Sequence, residues 1–231
     1  NRENRVERIL DPIFARAAVF ERGGEAIGFV QLDLAAVLET EALAIRRRIE
    51  ERCGVKSERV LVSATHNHAG PAVMSEALPR DEAYIADMVV RAARAFERAF
   101  ATRRAAQIAE HRAFEWRVAH NRRVVMRDGT VRTHGSFKDP QALRLEGPID
   151  PEVAALAVRS TDGALLGVLV NFACHPTAYW SDPLISAGFP GALARELKAA
   201  GYPVCLFLQG SGGNMHSQDP CGSPEKSMEE I

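Results

Sequence analysis

No run of about 18 or more apolar residues occurs in the 231-residue chain, so the sequence offers no membrane-spanning helix. Cysteine is scarce: Cys53, Cys174, Cys205 and Cys221 lie far apart and form no CxxC pair. That excludes a disulfide scaffold and a structural zinc knuckle. Cys174 and Cys205 sit in apolar runs, where a free thiol behaves as a small core residue. An excess of either charge is also lacking, since 29 Lys+Arg against 30 Asp+Glu leave a formal net charge of −1. The electrostatic motive for nonspecific nucleic-acid binding, neutralisation of many phosphates, is therefore absent. Repeats and low-complexity tracts are missing, and no signal-peptide pattern follows Asn1, so the sequence assigns no compartment.

What is present is globular. Hydrophobic residues make up 46% and charged residues 26%, which excludes disorder over most of the chain. The length suits one large domain or two small ones with a sizeable core. The alternation from Phe14 to Phe20 and from Ala26 to Leu32 predicts a hairpin across Gly23-Gly24. Leu34 to Arg52 carries helical spacing, ended by Gly54, and the apolar run Arg59 to Ala64 reads as a strand buried on both faces. A second helix is expected from Asp81 to Phe100. Strands follow within Ala105–Ala119 and Arg122–Met126, with a turn at Asp128-Gly129 and a long surface loop from His134 to Pro151. Two further strands, Val153–Ser160 and Leu165–Ala173, flank Asp162-Gly163; a helix from Phe189 to Ala200 and a strand from Val204 to Leu208 complete the pattern. The expected fold class is α/β: a mixed sheet core flanked by helices, with its active site at strand C-terminal ends.

Three strands end in chemistry-bearing turns. Thr65-His66-Asn67-His68-Ala69-Gly70-Pro71 puts two imidazoles two residues apart, on one side of an extended segment. Histidine is the commonest metal ligand, yet two hydrogen-bonded histidines in a surface turn would look the same. Asn171-Phe172-Ala173-Cys174-His175-Pro176-Thr177 ends in a lone His, fixed in extended geometry by Pro176. Alone it reads equally as a half-buried, hydrogen-bonded His. The third turn, Gln209-Gly210-Ser211-Gly212-Gly213-Asn214, lacks the Gly-Lys-Ser/Thr ending of a phosphate loop. It is either structural or a source of oxyanion donors, with Gln209, Gly210 and Asn214 as candidates. His111, His120, His134 and His216 have no ligand-like spacing. Asp33 reads as the N-cap of the helix starting at Leu34.

Taken in order, THNHAGP, HNRR, NFACHPT, SAGFPG and FLQGSGGN resemble the catalytic domain of neutral (non-lysosomal) ceramidases and their bacterial relatives. The resemblance spans essentially the whole chain, as one catalytic-type domain over 1–231, expected to be incomplete at both ends. It implies zinc-dependent amide hydrolysis of a small-molecule or lipid-like N-acyl substrate. His66 and His175 would be Zn²⁺ ligands, His68 a substrate-contacting or proton-transferring group, and Arg122 the active-site arginine. Two further ligands, a glutamate and a tyrosine, are expected beyond Ile231, and Ser223 is the nearest candidate for a nucleophilic serine. Such relatives are often secreted or surface-exposed. The chain departs from the pattern at Gly188, where relatives tend to carry Asp, and at His216-Ser217, where they carry Pro. Two other readings stand beside this one. An amidohydrolase barrel also ends a strand in HxH, but the successive strands between Ala105 and Met126 break the strand–helix rhythm a barrel needs. A non-catalytic relative would keep the sheet and lack a complete metal site.

Overall fold

A computed structural model of the chain describes residues 6–74 and 80–221. Two mixed sheets form its frame. In the first, strand Glu25–Leu32 lies between Ala15–Arg22, antiparallel to it, and Val60–Ala64, parallel to it. The hairpin turn is Gly23-Gly24, at φ 62° and 81°. Left-handed backbone at both positions matches the strand twist and is open to glycine without strain. The parallel return is made by helix Glu39–Cys53, closed by Gly54 in left-handed geometry. Helix Glu82–Ala101 packs on the same sheet, and Asp81 caps it by accepting from the Tyr84 N–H. Val30, Leu32, Ile45, Ile49, Val60, Met88 and Phe96 meet in the core between them.

The second sheet runs Cys205–Gln209, Leu165–Phe172, Glu152–Ser160, Ala106–Phe114. Its first pair is parallel and the rest antiparallel. Helix Gly188–Ala199 makes the crossover and buries Leu193, Ala194 and Leu197 against Val168, Val170 and Cys205. Cys205–Gln209 also lies against all three strands of the first sheet, which joins the two halves. A smaller antiparallel sheet, Val131–Thr133, Arg123–Met126, Ala142–Leu145, covers one end. The barrel alternative is thus replaced by two open mixed sheets.

Four expectations need correction. The first helix begins at Glu39, not Leu34, because residues 33–38 turn to place Ala35 beside His66. Asp33 caps nothing: its buried carboxylate accepts from the Phe14 N–H, the Arg16 guanidinium and Gln31 Nε2. Val60–Ala64 is an edge strand with Leu61 47% exposed, since both helices cover the opposite face. The loop expected from His134 to Pro151 contains strand Ala142–Leu145.

Candidate metal centre

The segment after Val60–Ala64 stays tied to the first sheet, with the Thr65 N–H on Leu32 O and the Asn67 N–H on Leu34 O. Asn67, fully buried, points inward: its Nδ2 donates to Ser186 O (2.6 Å) and its Oδ1 accepts from the Ala69 N–H (3.1 Å). Gly188 has φ 61°, and its missing Cβ leaves room for Asn67 Oδ1. With Asn67 turned in, His66 and His68 turn out. They do so through a left-handed His66, φ 65°, rather than through the extended segment expected from the sequence. A non-glycine residue held there carries backbone strain of about 1–3 kcal/mol, a feature concentrated at functional sites. The His68 N–H donates to Pro176 O (3.1 Å), which joins this segment to the one bearing His175.

The three rings converge. His66 Nε2 lies 3.0 Å from His175 Nε2 and 3.3 Å from His68 Nε2, and one ligand atom from each falls within 4.8 Å of the others. Their outward nitrogens explain the arrangement. His66 Nδ1 is 2.8 Å from Ala35 O, and His175 Nδ1 is 3.0 Å from Gly212 O. A carbonyl oxygen only accepts, so both Nδ1 atoms carry protons, and wherever such a ring is neutral its Nε2 lone pair points at the other Nε2. Two lone pairs 3.0 Å apart repel unless a proton or a metal ion lies between them. Burial, Arg122 and His66 hold His175 below the ordinary imidazole range, against the Gly212 hydrogen bond, so its neutral, ligand form prevails. Backbone-anchored Nδ1–H groups with Nε2 turned inward are the usual outer support of metal-bound histidines. The residues present therefore fit a metal ion.

Around this triad the chain gathers groups that the spacing rules passed over. His216, 5% exposed, stacks on His175 with centroids 6.4 Å apart. His134 meets His216 edge-on at 4.9 Å. Burial and the neighbouring His134, Arg122, His175 and His68 push His216 down to about 4. Arg122 joins the same cluster. Its Nη1 donates to His134 Nε2 (3.2 Å), while Nε and Nη2 clamp Gly213 O at 3.2 and 2.8 Å. Nothing in local spacing marks His134 or His216; the one hint was the glycine-rich turn just before His216.

The remaining candidates divide. Gly210 donates its N–H to Phe172 O (2.9 Å), so that group is not offered to an oxyanion. Both side-chain atoms of Gln209 are buried with no hydrogen-bond partner among the described residues, packed under Gly212. Asn214 accepts the Arg122 backbone N–H through its own carbonyl oxygen (2.8 Å). Cys174 is fully buried and its thiol is pushed up to about 12 by burial, which makes it a packing residue. Ser223 lies outside the described residues.

No family model matches the chain. Neutral ceramidase of Pseudomonas aeruginosa is 27% identical over 219 residues, covering 87% of this chain and 31% of that protein. Among solved structures, a ceramidase complexed with C2 matches with a TM-score of 0.78 at 24% identity, over 93% of this chain and 34% of that one. The crystal structure of neutral ceramidase from Pseudomonas aeruginosa matches with a TM-score of 0.75 at 24% identity, over 98% and 38%. The chain thus spans about a third of the length of these relatives. No helix among the described residues is long and apolar enough to cross a membrane. The chain thus shares the α/β fold of these structures and is similar in sequence to the part of neutral ceramidase that it covers.

Proposed function

We propose that the chain carries the metal-binding part of a zinc-dependent hydrolase that cleaves the carbon–nitrogen bond of an N-acyl, lipid-like substrate. The observation that carries this reading is the facing pair of Nε2 atoms on His66 and His175, each ring anchored through Nδ1 to a backbone carbonyl. Neighbouring nitrogens on a tetrahedral zinc with bonds of about 2.0–2.1 Å stand about 3.3 Å apart. The observed separations of 3.0 and 3.3 Å are close to that. A catalytic zinc typically takes three protein ligands and keeps an open position, so His66 and His175 need a further ligand, either His68 or the expected glutamate and tyrosine. When bound, zinc supplies Lewis-acid chemistry, polarising an amide carbonyl and acidifying water.

The chain's own residues would do the rest. His66 and His175 hold the ion. His68, whose Nε2 faces the same point, holds it too or moves a proton at that nitrogen to the departing amine. Arg122 uses Nε, Nη1 and Nη2 on Gly213 O and His134, which leaves two of its five N–H groups for a developing oxyanion. Gln209, whose side-chain atoms lie buried beneath the turn with no partner among the described residues, is another polar group close to the site.

Release of fatty acid from a short-chain fluorescent ceramide, compared with simple N-acyl amides, tests the reading. Zinc-loaded protein is expected to hydrolyse one class, and His68→Ala to lower kcat at least about 100-fold. Zinc-loaded protein that hydrolyses neither would identify a metal-binding relative without this activity.

A further inference from the structure

The single segment from Gly212 to Gln218 grips His175 from two sides. On one, Gly212 O takes the Nδ1 proton of His175 at 3.0 Å. On the other lies His216, whose hydrogen bonds fix its tautomer. The Gln218 N–H donates to His216 Nδ1 at 2.9 Å, so that nitrogen carries a lone pair and the proton sits on Nε2. From there it is donated to Thr177 Oγ1 at 2.8 Å. Thr177, 8% exposed, donates its own N–H back to His175 O at 3.0 Å. The His216 ring lies 29° from the plane of His175, with centroids 6.4 Å apart. Pairing of Met215 with Asn121 and of His216 with His120 anchors the brace in a two-stranded ladder.

His216 has no nitrogen to spare. One lone pair is taken by Gln218, the other nitrogen gives its proton to Thr177, and so it is not a fourth ligand. We propose that His216 is a positioning residue: through Thr177 and its stacked ring it sets the direction in which His175 presents Nε2. This rests on the reading of His66, His68 and His175 as a zinc centre. Ligand-orienting groups beyond the first contact typically change metal affinity by about 10–100-fold when removed, because the ligand must then be ordered by the metal itself.

The test uses zinc affinity by chelator competition and the visible spectrum of the cobalt(II)-loaded protein. His216→Phe keeps the ring and removes both hydrogen bonds; His216→Gln keeps a donor for Thr177; Thr177→Val removes the acceptor. The expected result is a loss of about 10–100-fold for His216→Phe and Thr177→Val, with altered cobalt bands, and recovery to within about threefold for His216→Gln. The double variant His216→Phe/Thr177→Val should bind no more weakly than the worse single variant, because both act through one contact. Equal losses in His216→Phe and His216→Gln, or unchanged affinity in all three, would overturn the brace. If His216→Phe does not fold, Thr177→Val against Thr177→Ser decides in the same way. A wild-type chain that takes up no zinc overturns the metal centre and the brace together. Wild-type uptake with unaffected variants removes the brace alone.

Discussion

At the scale of single residues, the site is a set of histidines whose protonation is dictated by what each ring touches. Backbone carbonyls load Nδ1 of His66 and His175; a backbone N–H does the opposite to His216. His216 has a pH consequence for the metal-free chain. Its folded pKa is about 4, against about 6.5 for a free imidazole. As pH falls through about 6.5 the unfolded chain takes up a proton that the folded chain refuses, so stability drops. The drop continues until pH approaches about 4, where the folded ring also protonates. Urea unfolding of the metal-free protein between pH 7 and 4 should show this slope, and His216→Phe should make it shallower, the part due to His175 remaining. Parallel slopes in the two proteins would contradict the account.

At the scale of elements, close packing sets the frame that aims these residues. Gly28 sits in the central strand of the first sheet, where a Cβ would overlap the ring of Phe96 on helix Glu82–Ala101. Phe96 is fully buried within the core cluster of the first sheet and its two helices. Gly28→Ala is therefore expected to destabilise by about 1–3 kcal/mol. Combining it with Phe96→Leu should cost less than the two changes summed, since the smaller side chain frees the space the methyl needs. Chemical denaturation of the four proteins in that cycle checks both statements.

Much of this scaffold is legible in the sequence. Gly23-Gly24, Gly54 and Asp81 mark boundaries by local chemistry that tertiary contacts do not overrule. Helical spacing puts Tyr84, Ile85, Met88, Val89, Ala92 and Phe96 on one apolar stripe, of which the last five are buried and Tyr84 is half-buried. Failures arose where distant partners decide the outcome. Asp33 looks like a cap until Arg16, seventeen positions earlier, is brought onto its carboxylate. Leu61 looks buried because its neighbours are, yet only one face of its edge strand is covered. The same division holds at the site. His66, His68 and His175 advertise themselves by following apolar strands, while His134 and His216 reach the cluster only through folding of remote segments. The left-handed turn at His66 has no sequence signal, because only a few per cent of non-glycine residues adopt it and nothing local selects this one.

At the scale of the whole molecule, the candidate ligands come from both halves. His66 and His68 follow a strand of the first sheet and His175 follows a strand of the second. An ion held by all three would cross-link the sheets in the native state and have no equivalent site in the unfolded chain. Zinc at 100 times its Kd should then add about 2.7 kcal/mol of stability. For a chain of this size that corresponds to roughly 5–10 °C in Tm, reversed by a chelator. Melting curves with and without zinc check it, and unchanged curves would mean the sheets are not joined this way.

The most direct test is the metal content of purified protein, wild type against His66→Ala and His175→Ala. The account predicts one zinc per chain in the wild type and none retained by either variant, with both variants folded by circular dichroism. Wild-type protein that binds no zinc, or variants that both keep it, would contradict the metal centre.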